Sequence, residues 1–175
     1  MNGDARRSKQ FLMRSSAFIC GHQIVDYILR MKSRIPWREK MNHPAKVVSI
    51  PPRLHKRFGR GKMLIPCPLD LEALIRKIPA GKVATQTQLR EKLARAAGAD
   101  VACPVTTGIF VRIVAEAAAE EARAGKSGIT PYWRVVRDDG ALMEKLPGGP
   151  AAQADHLEAE GHRIDRSGKL RVELP

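Results

Sequence analysis

Apolar residues recur at helical spacing through the last two-thirds of this chain, and prolines and glycines punctuate the recurrence. Leu71, Leu74, Ile75 and Ile78 keep the i, i+3, i+4, i+7 spacing of one helix face. Pro68 suits the first turn of that helix. Pro79 ends it, because proline lacks an amide donor and crowds the preceding turn. Thr85-Gln86-Thr87-Gln88 then matches a capping box, with the Thr85 hydroxyl on the new turn and the Gln88 side chain reaching back. The second helix is predicted to run to Ala97, with Leu89, Leu93 and Ala97 inward and Gly98 as its left-handed stop. A third starts near Val105–Thr107 and ends at Gly125. Ile109, Phe110, Ile113, Val114, Ala117 and Ala118 form its apolar face, and Arg112 pairs with Glu116 on the other side. The short connection Gly98–Pro104 permits a helix-turn-helix whose reader is the third helix; two packed core helices are the plainer alternative. Ile129–Val136 is short and β-prone, and Asp138-Asp139-Gly140 is a turn. Pro150 opens a last helix with Ala154 and Leu157 inward and Gly161 at its end. Arg163–Asp165 and Lys169–Glu173 flank Ser167-Gly168 as a small hairpin.

The first third reads differently. Phe18, Ile19, Ile24, Val25, Ile28 and Leu29 fit a short amphipathic helix, and Met31 is a candidate alternative start. Residues 32–62 are basic and interrupted by Pro36, Pro44, Pro51 and Pro52, with only Val47–Ile50 reading as strand. This predicts a basic extension over residues 1–62, partly disordered, and a domain over residues 63–175. Charge sharpens the division. Of 31 Lys and Arg and 18 Asp and Glu, residues 1–62 hold 15 and 3, so nearly all of the net +13 sits there. Such a surplus suits a polyanion, nucleic acid before an anionic membrane surface; a solvated tail is the alternative. Hydrophobic residues at 43% suffice for a core, whereas aromatics at 5% leave a large aromatic pocket unexpected. No uncharged apolar run is long enough to span a bilayer. Arg14, Ser15 and Ser16 break the early apolar stretch, so a secretory signal is not expected. Cys20, Cys67 and Cys103 lie far apart without CxxC spacing. That argues against a disulfide framework or zinc site and for a reducing cytoplasm; no metal or cofactor is expected.

Several short motifs occur in a telling order: Ile78-Pro79-Ala80-Gly81-Lys82-Val83, Thr85–Leu89, Thr107-Gly108, Ile129-Thr130-Pro131-Tyr132-Trp133-Arg134-Val135-Val136, Asp139-Gly140-Ala141-Leu142 and Leu157-Glu158-Ala159-Glu160-Gly161. Together, residues 64–165 resemble the DNA-binding, active-site domain of methylated-DNA–protein-cysteine methyltransferases and their alkyltransferase-like relatives. The resemblance implies a mostly α fold with short β elements, a winged helix-turn-helix-like domain, here behind a basic N-terminal extension. It also implies a reader helix in the minor groove and an alkylated guanine flipped beside a cysteine, which a His and a Glu keep activated.

Compared residue by residue, the family signature Pro-Cys-His-Arg-Val reads here Pro131-Tyr132-Trp133-Arg134-Val135. A phenol replaces the acceptor thiol, and an indole without a basic nitrogen replaces the imidazole. Alkyl transfer is therefore expected to be absent, and Cys67 and Cys103 fall outside the signature. Glu160 matches the family's Glu, with a capped helix end or a salt bridge as its remaining role. Arg134 keeps the signature Arg and holds the loop. Tyr132 and Trp133 either stack on a base or fill the vacated pocket, the second reading being favoured. The nucleotide-rotating tyrosine aligns with Gln86, the arginine finger with Val105 and the asparagine before the loop with Ala124. Val105 is an apolar wedge or, by preference, a core valine. Candidate phosphate contacts are Thr106, Thr107 and Gly108 at the start of the reader helix, Thr87 and Gln88 at the start of the preceding one, and Arg57, Arg60 and Lys62 in the extension. The function expected is a non-enzymatic nucleic-acid-binding protein, with DNA-damage recognition and no alkyl transfer. Duplex DNA is the expected partner, an acidic or repair protein a second, and a membrane none. The alternative is a protein-interaction module on a degenerate alkyltransferase scaffold.

Overall fold

Between Glu39 and Asp70 the chain carries no acidic residue, yet Met41, Ile50, Met63 and Leu64 fold inward. The computed structural model describes residues 35–174, and the chain from Pro36 onward forms one unit. The helix expected around Phe18–Leu29 lies outside the described residues. A 3-10 turn at Glu39–Met41 buries Met41 completely. Strand β1 (Lys46–Ser49) is followed by a 3-10 turn at Pro52–Leu54, the one-turn helix α1 (His55–Phe58) and strand β2 (Lys62–Ile65). β1 and β2 are antiparallel, with Lys46 opposite Ile65 and Ser49 opposite Lys62. Ile50, Met63 and Cys103 form a buried cluster on which Val48, Leu54 and Phe58 pack. The expected extension is thus corrected: the domain begins at Pro36, and residues 36–62 are part of it. The prolines here open turns instead of breaking up the fold, because Pro52 stands at a helix start where its missing donor costs nothing.

Helix α2 (Pro68–Arg76) has proline in its first turn and stops before Pro79, with Leu71 and Ile75 fully buried. Strand β3 (Ala84–Thr85) leads into helix α3 (Gln86–Ala96), and the Thr85–Gln88 capping box is present in both directions. Ala94, not Ala97, joins Leu89 and Leu93 on the inner face, because the helix ends before Ala97 and Gly98 turns the chain at φ +61°. Strand β4 (Val101–Ala102) lies parallel to β2, completing a sheet ordered β1-β2-β4. Helix α4 (Pro104–Arg123), about 30 Å long at 1.5 Å per residue, buries Phe110, Ile113, Val114, Ala117 and Ala118. It also buries Val111 and Ala115, so it is the central helix of the domain.

The β-prone stretch Ile129–Val136 is only partly strand. Tyr132–Arg134 forms a 3-10 turn, because Pro131 brings no donor and the Arg134 amide bonds back to the Pro131 carbonyl. Strand β5 (Val135–Val136) then pairs parallel with β3. Helix α5 (Gly149–Ala159) buries Ala154 and Leu157 and precedes Gly161 at φ +88°. Strands β6 (Ile164–Asp165) and β7 (Arg171–Val172) make the expected hairpin. Val136, Leu142, Ala154, Leu157 and Val172 form a second core cluster beneath it. Among the described residues no helix is long and apolar enough to cross a membrane.

Candidate functional site

The turn Pro131–Arg134 is pinned from both sides. Thr130, wholly buried, donates its hydroxyl to Glu72 at 2.7 Å and its carbonyl accepts the Tyr132 amide. Gln153 on α5 donates to the carbonyls of Trp133 and Val135 and accepts the Met143 amide at 2.7 Å. Glu72 in turn accepts from Arg38 at 2.9 Å and from Arg76 at 3.2 Å, which ties the 36–41 segment to α2. Burial opposes its charge, but the bonds from Thr130, Arg38 and Arg76 outweigh burial and hold its carboxyl below the ordinary value.

Within this frame Tyr132 is 6% exposed and its ring meets Trp133 edge-on at 5.4 Å. Burial, then the nearby Glu116 charge, push the phenol above its ordinary value against a smaller opposing effect of Arg123. Tyr132 is therefore a neutral phenol near pH 7. Trp133 lies half-buried and stacks on His156, with centroids 4.2 Å apart and planes 13° from parallel. Its indole N–H donates to Glu160 Oε1 at 2.7 Å. Glu160 also accepts from Arg134 Nε and Nη2 at 2.9–3.0 Å and from the Gly81 amide at 3.1 Å. Arg134 reaches further, to the Ile78 carbonyl. Burial raises the Glu160 carboxyl, but the bonds from Arg134, Trp133 and Gly81 more than offset it and hold it low. Glu160 thus makes the salt bridge expected of it and in addition accepts the Trp133 N–H, an orienting contact not expected from the sequence.

The expected phosphate contacts fare unevenly. At the start of α3, Thr87 gives both its amide (2.9 Å) and its hydroxyl (2.7 Å) to Asp138, which also pairs with Arg90. Gln88 is committed to the capping box. An internal carboxylate thus occupies the place proposed for a phosphate, favoured there by the helix N-terminus. Asp138 is held below its ordinary value; burial works the other way but is outweighed by the bonds from Thr87. At the start of α4, Thr106 and Thr107 are buried and both hydroxyls donate to the Cys103 carbonyl. Their side chains are corrected from surface contacts to internal ones. Gly108 has open space beside it: a Cβ added there would meet no heavy atom within 4 Å. Val105 is 58% exposed, so the preferred core reading is overturned: the valine projects from the first turn of α4. Arg57, Arg60 and Lys62 are exposed on the β1–β2 connection and do not join the Tyr132 cluster.

His156, Gln153 and Asp138 were missed in the sequence. Gln153 carried the one available signal, a polar residue beside Ala154 on the inward stripe of the last helix. His156 and Asp138 meet Trp133 and Thr87 only through tertiary packing. A polar cleft of about 540 Å³, lined by Gln86, Arg137, Asp138, Asp139, Lys169 and Arg171, opens at the start of α3.

A family model described as 6-O-methylguanine DNA methyltransferase, DNA binding domain, matches residues 70–162. Among solved structures, that of S. pombe Atl1 in complex with damaged DNA containing O6-carboxymethylguanine matches 62% of this chain and 87% of its own. The identity is 21% and the TM-score 0.41. No curated protein matches the chain.

Proposed function

The chain belongs to the 6-O-methylguanine DNA methyltransferase family through its DNA-binding domain, and from that premise we propose that it binds DNA without transferring an alkyl group. The single observation that carries the reading is the exchange at residues 132 and 133 inside a kept frame. The Arg134–Glu160 pair holds the turn, while a buried phenol and a hydrogen-bonded indole stand where the signature needs a thiolate and a base. In this reading α3 and α4 form the helix-turn-helix, the β6–β7 hairpin is the wing and α4 is the reader. Val105 is the side chain that meets the bases, an apolar wedge for a widened step, and Gly108 lets the phosphate backbone approach the helix closely. Arg57, Arg60 and Lys62 add sequence-independent affinity. Damaged duplex is the preferred ligand, and the protein acts in the cytoplasm as a recognition factor for repair.

Intact-mass spectrometry after incubation with a duplex carrying O6-methylguanine, at concentrations where the complex is saturated, tests the reading. The expected mass is unchanged. A methyl adduct, on Cys67 or Cys103 above all, would overturn it. The burial of Tyr132 also favours a second reading, a protein-interaction module whose old pocket is filled. A pull-down that survives nuclease treatment and an absence of duplex binding at low salt would select it.

A further inference from the structure

The basic residues of the β1–β2 connection are not distributed as a tail would carry them. Lys46, Arg53, Lys56, Arg57, Arg60 and Lys62 are all exposed on a folded hairpin, and the intervening chain has no Asp or Glu. The ion pairs among the described residues lie elsewhere. Asp100, which lies beside Gly61, is engaged by the Lys62 amide at 2.7 Å. This surface is fixed relative to α4. β2 pairs with β4, and Cys103 alone separates β4 from the first residue of α4. Lys46 sits at the end of the sheet from which α4 departs, opposite Ile65. Lys62 and the loop that carries Arg53 to Arg60 sit at the other end. Four residues of extended chain, from the level of Asp100 to Pro104, separate the two ends, about 13 Å at 3.3 Å per residue.

We propose that this hairpin is a second, rigid contact for the sugar-phosphate backbone, extending the bound site by about four base pairs beyond the reader helix. The inference rests on α4 being the reader, and it concerns residues outside the stretch that the family shares, 70–162. A polyanion of regular charge spacing fits a cluster of exposed cations at one end of a sheet with a further one, Lys46, at the other. A lipid surface fits less well, because Val47 is the single large exposed apolar residue on the hairpin, and none lies in the loop that carries Arg53 to Arg60.

The test is the salt dependence of duplex affinity, by fluorescence anisotropy, for the full chain and for the triple variant Arg57→Gln, Arg60→Gln, Lys62→Gln. Each phosphate contact contributes about 0.9 to the slope of log K against log salt. The variant is expected to lower that slope by about 2 to 3 and the affinity at about 0.1 M salt at least tenfold. Its thermal unfolding should match that of the parent, because the three side chains are exposed. An unchanged slope with duplex binding intact overturns the extension and leaves the reader-helix reading standing. Absence of duplex binding by the parent chain at low salt overturns both. Loss of affinity for a polyglutamate peptide with none lost for duplex overturns the extension in favour of an acidic protein partner.

Discussion

Replacing Glu160 by Ala removes the acceptor that holds Arg134, Trp133 and Gly81 together. The carboxylate and the guanidinium are each 14% exposed, so Arg134 would be left largely dehydrated and unpaired. Removing one partner of a buried pair costs about 3 to 5 kcal/mol, and the residual exposure of this pair places it at the lower end. The Trp133 N–H loses its 2.7 Å acceptor as well, worth about 1 kcal/mol. The expected loss is therefore about 3 to 4 kcal/mol, or a fall in Tm of about 10 °C for a domain of this size. Glu160→Gln keeps an acceptor for the indole and loses the charge, so it should cost about half as much. It should also change the acid limb of stability. The Glu160 carboxyl is held below its ordinary 4.5 in the folded chain. Its contribution is then fully present above the unfolded value and is lost as pH falls through the folded one. The Gln variant lacks that component, and its stability should fall less steeply below about pH 4.5. Urea unfolding followed by tryptophan fluorescence, at neutral pH and at several acid values, measures both effects. A loss under about 1 kcal/mol for the Ala variant, or an acid limb unchanged by Gln, would refute the clamp.

Three further outcomes follow from the same geometry. Asp138→Ala frees the Thr87 amide and hydroxyl at the start of α3 and removes a negative charge, so duplex affinity should rise by about three- to tenfold; equal or weaker binding by anisotropy counts against an occupied phosphate site. Val105→Asp should leave stability within about 0.5 kcal/mol, since the side chain is 58% exposed, and should lower duplex affinity at least tenfold; undiminished binding would remove α4 from the interface. Glu72→Gln should loosen the 36–41 segment through the lost Arg38 pair, at a cost of about 1 to 2 kcal/mol because Arg38 is 48% exposed. Limited proteolysis checks it, and unaltered cleavage there would show that the pair does not hold the segment.

Local chemistry was legible in the sequence and tertiary pairing was not. The Thr85–Gln88 box, the prolines at 68 and 150 and the glycines at 98, 125 and 161 each act within a few residues, so their roles could be read directly. Two-residue strands such as Val101–Ala102 lack the length for a period, and their existence depends on β2 far away in the chain. Residues 36–62 read as an arm because charge and proline dominate the composition, while the two fully inward apolar positions, Met41 and Ile50, are widely spaced. Val105 read as core because it adjoins an apolar helix; being in the first turn, before the face is established, it points outward. At the site, the motif gave Arg134 as holding the loop and Glu160 as a helix cap or a salt bridge, and the structure adds that they bond to each other. The stack of His156 on Trp133 and the capture of Thr87 by Asp138 join residues distant in sequence, and no spacing rule connects them.

The central proposal is that the chain binds duplex DNA and prefers a duplex that carries an alkylated guanine. An anisotropy titration at low salt, with matched duplexes that differ only in one O6-methylguanine, tests it most directly. The expected result is saturable binding of both, tighter for the modified duplex and falling steeply as salt is added. No binding of either duplex would contradict it.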